Sequence, residues 1–257
     1  MIFGRKHEKP PDLDSPDITA LHARIIKSNA FLRLWYRRQY EKYGELSGGC
    51  IQGTHIEIGS GGGFLREICP GVKTSSLLKE DVQKGYAGFI LDAARMDLAD
   101  NSVDSFFLLN VLHHLPDPES FFSEAFRTIK KGGFVFCVEP ANTLCGRLLY
   151  KSFHHENFDE KTPDWRMEMS GHLSGANQAL AHIIFERDIA VFKSKFPGFS
   201  VQLRGKHTFL SYLVSGGLTY KPFLPAALAP VISKTDDILS PLMPLLGLHM
   251  DVLIKKL

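Results

Sequence analysis

The segment IEIGSGGGF, residues 56–64, holds the side chains and backbone best suited to chemistry. An acid, Glu57, ends a short apolar run, and a turn of Gly59, Ser60, Gly61, Gly62 and Gly63 follows it. Glycines let a backbone approach a ligand closely, and a helix opening after the turn offers free N–H groups. Such a loop serves several nucleotide-like ligands, so its details decide. A dinucleotide fingerprint needs glycine or alanine three residues after its second glycine. With Gly59 and Gly61 as the first two, Phe64 stands there instead. No Lys-Ser/Thr pair follows, which excludes a phosphate-binding P-loop. Glu57 would repel a pyrophosphate and attract an ammonium group. The ligand that suits this loop therefore carries a cationic amino-acid end. The alternative, a bare strand-to-helix turn, makes poor use of so many flexible residues in a row.

Other candidates close apolar runs further along. Asp92-Ala93 follows residues 88–91, where an acid can accept the exocyclic amine of a base. Asn110 ends residues 105–110 and leads into Val111-Leu112-His113-His114-Leu115-Pro116.

These residues need a frame, and the hydrophobic pattern supplies one. Apolar residues Leu21, Ile25, Ile26, Phe31, Leu32, Trp35 and Tyr36 recur at helical steps over 18–43. Ser28-Asn29 is a point where this becomes two helices, with Asn29 able to cap the second. Strand-like runs occupy 54–58, 72–78, 88–91, 105–111 and 134–138, with an amphipathic stretch at 119–129 and a Lys131-Gly132-Gly133 turn. Strands and helices alternating at this spacing imply a parallel sheet covered on both faces. In such sheets ligands lie beyond the carboxyl ends of the strands, where Glu57, Asp92 and Asn110 all fall. Beyond Pro140 helices are expected at 144–153 and 178–195, strand at 200–213 and a last strand at 248–256. Residues 1–17 are polar and proline-bearing, as in a loose arm.

Composition narrows the class. Of 257 residues, 44% are hydrophobic and 23% charged, close to a soluble globular average. Lys and Arg number 30 against 28 Asp and Glu, a net charge of +2, which argues against a dedicated nucleic-acid partner. Cys50, Cys69, Cys137 and Cys145 form no CxxC pair and read as reduced thiols, pointing to a cytoplasmic setting. The first residues lack a signal-peptide apolar core, and no apolar run reaches membrane-spanning length.

The pieces EIGSGGG (57–63), DAARMDLADNSVD (92–104), NVLHHLPDPE (110–119) and RTIKKGGFVFCVEP (127–140) stand in an order and spacing with a known counterpart. In them the chain resembles the class I S-adenosylmethionine-dependent methyltransferases, most of all their subgroup with small-molecule and lipid substrates. The stretch KSNAFLRLWYRRQYEKY (27–43) is similar to the helix preceding this core in some members. The resemblance spans residues 20–140 and, more loosely, the final strand. It implies an α/β fold with a doubly wound, mostly parallel seven-stranded sheet, Rossmann-like, whose last strand runs antiparallel. Residues 1–45 would form an arm and cover helices, and 46–257 the S-adenosylmethionine-dependent domain. By the same resemblance, Gly59, Ser60, Gly61 and Gly63 would pack against the cofactor and Glu57 would hold its amino group. Asp92 and Ala93 would face adenine, and Asn110 the methionine end. One departure stands out. The second strand normally ends in an acid for the ribose hydroxyls, and Ser76 occupies that place, leaving Glu80 or Asp81 to substitute.

Methyl transfer from a sulfonium is an in-line displacement in which alignment supplies much of the rate. A hydroxyl or carbon acceptor also needs a base. His113 and His114, following the cofactor strand, are the candidates for it, or they cap loop groups instead. His154-His155-Glu156 with His172 is a second polar cluster, and Glu139 a third candidate to shape the acceptor site. None of these shows zinc-ligand spacing, so no metal is expected. Residues 217–247, GLTYKPFLPAALAPVISKTDDILSPLMPLLG, form an apolar, proline-broken insert before the last strand. It reads as a lid over a small-molecule or lipid-like acceptor with peripheral membrane contact, or as packing against the sheet or a partner subunit. The function expected is transfer of a methyl group to such an acceptor. A scaffold that keeps the fold without turnover is the reading Ser76 motivates. A nicotinamide-dependent oxidoreductase is opposed by Phe64 and Glu57.

Overall fold

The computed structural model describes His7 and residues 14–154, 156–168, 171 and 173–257. Two helices lead, α1 (Ile18–Ser28) and α2 (Ala30–Ser47), broken at Asn29 as the sequence predicts. The Asn29 side-chain oxygen accepts the Phe31 and Leu32 N–H groups at 3.2 Å, so it caps α2. Its amide donates to the Ser215 carbonyl at 2.9 Å and ties the break to the C-terminal half.

The core alternates as expected. It runs β1 (His55–Ile58), β2 (Lys73–Ser76), α3 (Lys79–Gln83), β3 (Phe89–Ile90), β4 (Val103–Leu109), α4 (Pro118–Thr128) and β5 (Ile129–Pro140). Then come α5 (Leu144–Phe153), α6 (Leu180–His182), α7 (Ile189–Lys195), β6 (Phe199–His207), α8 (Leu210–Ser215), α9 (Ala229–Ile238), α10 (Met243–Leu246) and β7 (His249–Lys256). The seven strands form one sheet in the order β3-β2-β1-β4-β5-β7-β6. All pairs are parallel except those of β7, which runs against both β5 and β6. The strand order reverses beside β1, the place where such sheets open a ligand crevice.

Side chains on the strands alternate between two cores. Ile56, Ile58, Phe106, Leu108, Val135 and Cys137 pack on the α4 and α7 side. Phe107, Phe136 and Leu253 face α1 and α2, where Phe107 stacks on Tyr43 at 4.6 Å between ring centroids. The cover helices thus share a core with the sheet. All four cysteines are free thiols, three of them buried.

Four expectations change. The helix after the glycine loop is a single 3-10 turn, Phe64–Glu67. Residues 131–133 do not end the pairing: β5 carries them as a bulge, with Val103 opposite Ile129 and Ser105 opposite Phe134. The helix at 178–195 is interrupted by a π-turn at Ile183–Arg187. The strand at 200–213 stops at His207, and residues 210–215 turn helical.

Asp236 explains that last change. From α9 it accepts the N–H groups of Phe209, Leu210 and Ser211 and the Ser211 hydroxyl, capping α8 from a distant segment. It also anchors the apolar insert, whose Val231, Ile238, Leu242 and Leu245 stand exposed. Among the described helices none is long and apolar enough to cross a membrane. Asp236→Ala strands buried N–H groups and is expected to cost about 3 kcal/mol of unfolding free energy in denaturant titration. Asp237→Ala, which removes an exposed partner of Arg38, should stay within about 0.5 kcal/mol. Equal losses at the two positions would refute this capping role.

Candidate active site

A cavity of about 720 Å³ runs along the carboxyl ends of the parallel strands, a size ordinary for small-molecule sites. One half is built from β1, β2, β3 and the loops that follow them. The other is built from the ends of β4, β5 and β7 with α5 and α8. Helices α1 and α2 close the first half through Ile18, His22, Tyr36 and Tyr40.

Glu57, Gly59, Ser60 and Gly61 line the first half. The loop is held by a small polar knot. Ser60 Oγ accepts the Ser75 N–H at 2.9 Å, and the Ser75 hydroxyl donates to the Glu57 carbonyl at 2.8 Å. Gly61 has φ +49°, and a Cβ there would meet nothing within 4 Å, so its Cα faces open space. Gly63 is different. It does not line the cavity, and a Cβ on it would strike the Tyr86 carbonyl at 2.5 Å. Its glycine serves the turn behind the loop.

Glu57 is 2% exposed, and its Oε2 has no hydrogen-bond partner. Burial pushes its carboxyl up to about 8, against the pull of Ser60 and Arg66 and with a small push from Cys50. A buried carboxylate in this state awaits a cation.

Of the two acids expected to stand in at the ribose position, one faces Ser76. Ser76 Oγ donates to Asp81 Oδ2 at 2.6 Å, and Asp81 is buried with Oδ1 unpartnered. Both residues line the cavity and Glu80 does not, so Asp81 is the substitute the structure offers. Asp92 and Ala93 also line this half, Asp92 Oδ1 accepting the Ala94 N–H at 2.9 Å. Asn110 sits left-handed at φ +54° with its side-chain oxygen buried and unpartnered.

In the second half Glu139 does not line the cavity. It is fully buried and accepts the N–H groups of Val111 (2.9 Å) and Leu112 (2.8 Å) and His113 Nδ1 (2.6 Å). It therefore positions His113 and does not touch the acceptor space. His113 and His114 lie on a 3-10 turn, Leu112–His114, and both line the cavity with Glu156. Burial alone would lower the His113 imidazole, but Glu139 and Glu156 together raise it to about 10. Its Nδ1 is engaged by Glu139, which leaves Nε2 as the ring nitrogen on the Glu156 side. Desolvation opposes ionisation of Glu156, yet His113, His114 and His154 hold it well below the usual carboxylate range.

His154 lines the cavity too, whereas His155 and His172 lie outside the described residues. No metal is expected from sequence spacing. Among the described residues, His113, His114 and Glu156 nonetheless bring ligand atoms within 4.8 Å of one another.

Residues beyond the sequence reading complete the wall. Gln178 donates to Glu156 Oε2 at 2.7 Å. His249, at the start of β7, is buried with Nδ1 unpartnered, and burial lowers its pKa well below the usual histidine value. Burial likewise pushes the Tyr212 phenol up to about 12. No local pattern marks these residues, because long-range packing brings them to the cavity.

The walls fit S-adenosylmethionine. Unpartnered Glu57 Oε2 suits its ammonium, the open face of Gly61 its close approach, and unpartnered Asp81 Oδ1 a ribose hydroxyl.

Comparison with known proteins agrees. Residues 56–137 match the family described as Methyltransferase domain. No curated protein matches the chain. Among solved structures, an S-adenosylmethionine-dependent methyltransferase from Archaeoglobus fulgidus aligns at 16% identity and TM-score 0.53, over 88% of this chain and 94% of that one. A Haemonchus contortus phosphoethanolamine N-methyltransferase, in complex with phosphomonomethylethanolamine and S-adenosylhomocysteine, aligns at 12% identity and TM-score 0.50. That alignment covers 95% of this chain and 58% of the other. Residues 56–137 are thus a methyltransferase domain, and the fold built around them is that of the class I S-adenosylmethionine-dependent enzymes.

Proposed function

We propose that the protein transfers the methyl group of S-adenosylmethionine to a small acceptor with a polar end and an apolar body. One observation carries this reading: a single cavity joins the Glu57–Gly61 cradle to the His113–His114–Glu156 cluster. When bound, the donor supplies an activated methyl on a sulfonium, ready for in-line displacement.

The chain's own residues then bind and align. Glu57 holds the ammonium, Asp81 the ribose, and Asp92 with Ala93 the adenine. His113, His114 and Glu156 hold the polar end of the acceptor. Leu149, Phe153, Leu213 and Leu218 line the cavity beside them and receive its apolar body. Of the insert, Gly217, Leu218, Thr219 and Tyr220 line the cavity. Its remainder offers exposed apolar side chains, which supports a lipid-like acceptor met at a membrane face.

Three results test this. Cell extracts separated into lipid and polar fractions, incubated with the protein and a deuterated methyl donor, should yield a product heavier by one labelled methyl. A lipid acceptor puts that mass in the lipid fraction. Label absent from every fraction, with donor binding intact, would favour the scaffold reading.

Gly61→Arg fills the space facing the donor, and its left-handed backbone adds strain of about 1–2 kcal/mol. Calorimetry with S-adenosylhomocysteine should show at least about a hundredfold loss of affinity, or about 2.7 kcal/mol. Unchanged affinity in a folded variant would place the pocket elsewhere.

The third test is proton linkage. Glu57 must lose its proton to pair with the ligand ammonium, and in the free protein its pKa is about 8. From roughly pH 6 to 7.5, S-adenosylhomocysteine should bind more tightly as pH rises, by at most about tenfold per unit, releasing a proton. The gain stops near about pH 8, where the ligand's own amino group titrates. Glu57→Gln should flatten the profile, and a wild-type profile equally flat would remove Glu57 from the site.

A further inference from the structure

The acceptor half of the cavity contains a donor set that methyl transfer by alignment alone does not require. His113 Nε2 stands 3.5 Å from Glu156 Oε2, and His114 Nε2 stands 3.7 Å from Glu156 Oε1. Both separations exceed a charge-assisted N–H···O bond, about 2.7–2.9 Å. Each is near the spacing of two ligands on one tetrahedral cation, roughly 3.4 Å at bond lengths of about 2.0–2.2 Å, and one ligand atom from each of the three residues lies within 4.8 Å of the others. We propose that His113 Nε2, His114 Nε2 and a Glu156 carboxylate oxygen bind one divalent first-row transition-metal cation, which presents an oxygen of the acceptor to the methyl donor.

The surroundings are those of a ligand set. Histidines that bind metals donate their other ring N–H to a carboxylate, which fixes tautomer and ring orientation. His113 Nδ1 does so to Glu139 at 2.6 Å, and Glu139 is itself fixed by the Val111 and Leu112 N–H groups. This leaves Nε2 aimed at Glu156. Gln178 donates to Glu156 Oε2 at 2.7 Å and so helps fix the carboxylate. His154 Nδ1 lies 3.9 Å from Glu156 Oε2, close enough to adjust the set.

Two imidazoles and one carboxylate suit zinc, iron, cobalt or nickel. Magnesium and calcium favour all-oxygen sets. Among the described residues the set has three protein ligands, the number found in sites that also bind substrate. His114 and Glu156 are partly exposed to the cavity, so an acceptor hydroxyl or carboxylate can reach the set. This inference deepens the proposed function and rests on its placing of the acceptor's polar end at these residues.

Metal-stripped full-length protein titrated with Co2+, by calorimetry and visible absorption, tests it. One Co2+ per chain is expected. His114→Ala and Glu156→Gln should each weaken Co2+ by at least about tenfold, the lower bound even for outer-shell losses. S-adenosylhomocysteine affinity should persist in both variants, which reports that each is folded. Elemental analysis of Zn2+ retained by wild-type protein after dialysis gives a readout independent of any variant. No bound Co2+ or Zn2+ in the wild type, unchanged Co2+ affinity in both variants, or Mg2+ binding as tight as Co2+ would each overturn the site. Labelled product formed equally with and without a chelator would overturn the cation's part in presenting the acceptor while leaving methyl transfer intact. Absence of labelled product with a confirmed Co2+ site would instead count against the methyl-transfer reading alone.

Discussion

A carboxylate with no access to solvent, Glu139, holds the two halves of the cavity in register. An ionised acid in the interior is tolerable only when its oxygens are fully engaged. Glu139 meets this with the Val111 and Leu112 N–H groups and the His113 ring. Those donors belong to the loop after β4, while Glu139 belongs to β5. The contact therefore links the two strands' carboxyl ends. Asn110, just before Val111, has a left-handed backbone at the same turn. One buried contact thus ties the loop after β4 to β5.

Glu57 is the opposite case. It is as deeply placed as Glu139 yet one oxygen has no partner within the protein. Its raised pKa measures the cost, because the charged form is poorly solvated there. A fold under selection for stability alone would replace such a group or pair it. Keeping it under the glycine loop stores a strong preference for a cation, released when an ammonium arrives. Asp81 likewise has one oxygen held by Ser76 and the other without a partner. Glu139 is thus satisfied within the protein, whereas Glu57 and Asp81 each keep one oxygen without a protein partner.

Much of this was legible in the sequence where the governing interaction is local. The α1–α2 break needs only Asn29 and its next turn, and α5 runs Leu144–Phe153 as the pattern predicts. The strand ends near Glu57 and Asn110 follow from apolar runs and turn residues. Expectations failed where a distant residue decides. Residues 210–215 carry strand-like side chains but turn helical because Asp236 caps them from α9. The helix after the glycine loop is cut to one 3-10 turn ahead of Cys69-Pro70, where proline disfavours helix in the residue before it. The acceptor cluster was legible only in part. His113-His114 and Glu156 are each visible in the chain, but their meeting depends on the segment after α5 folding back over the β4 loop.

The reversed strand explains why the wall can be built from such remote parts. Because β7 runs against its neighbours, its first residue lies beside the last residue of β5, with His249 opposite Pro140. The start of the final strand thereby reaches the same edge as the ends of the parallel strands. His249 arrives there neutral, its ring packed 4.6 Å from Trp35 and deprived of solvent. His113, by contrast, is flanked by two carboxylates, Glu139 and Glu156. The start of β7 thus adds an imidazole to the same wall as His113 and His114.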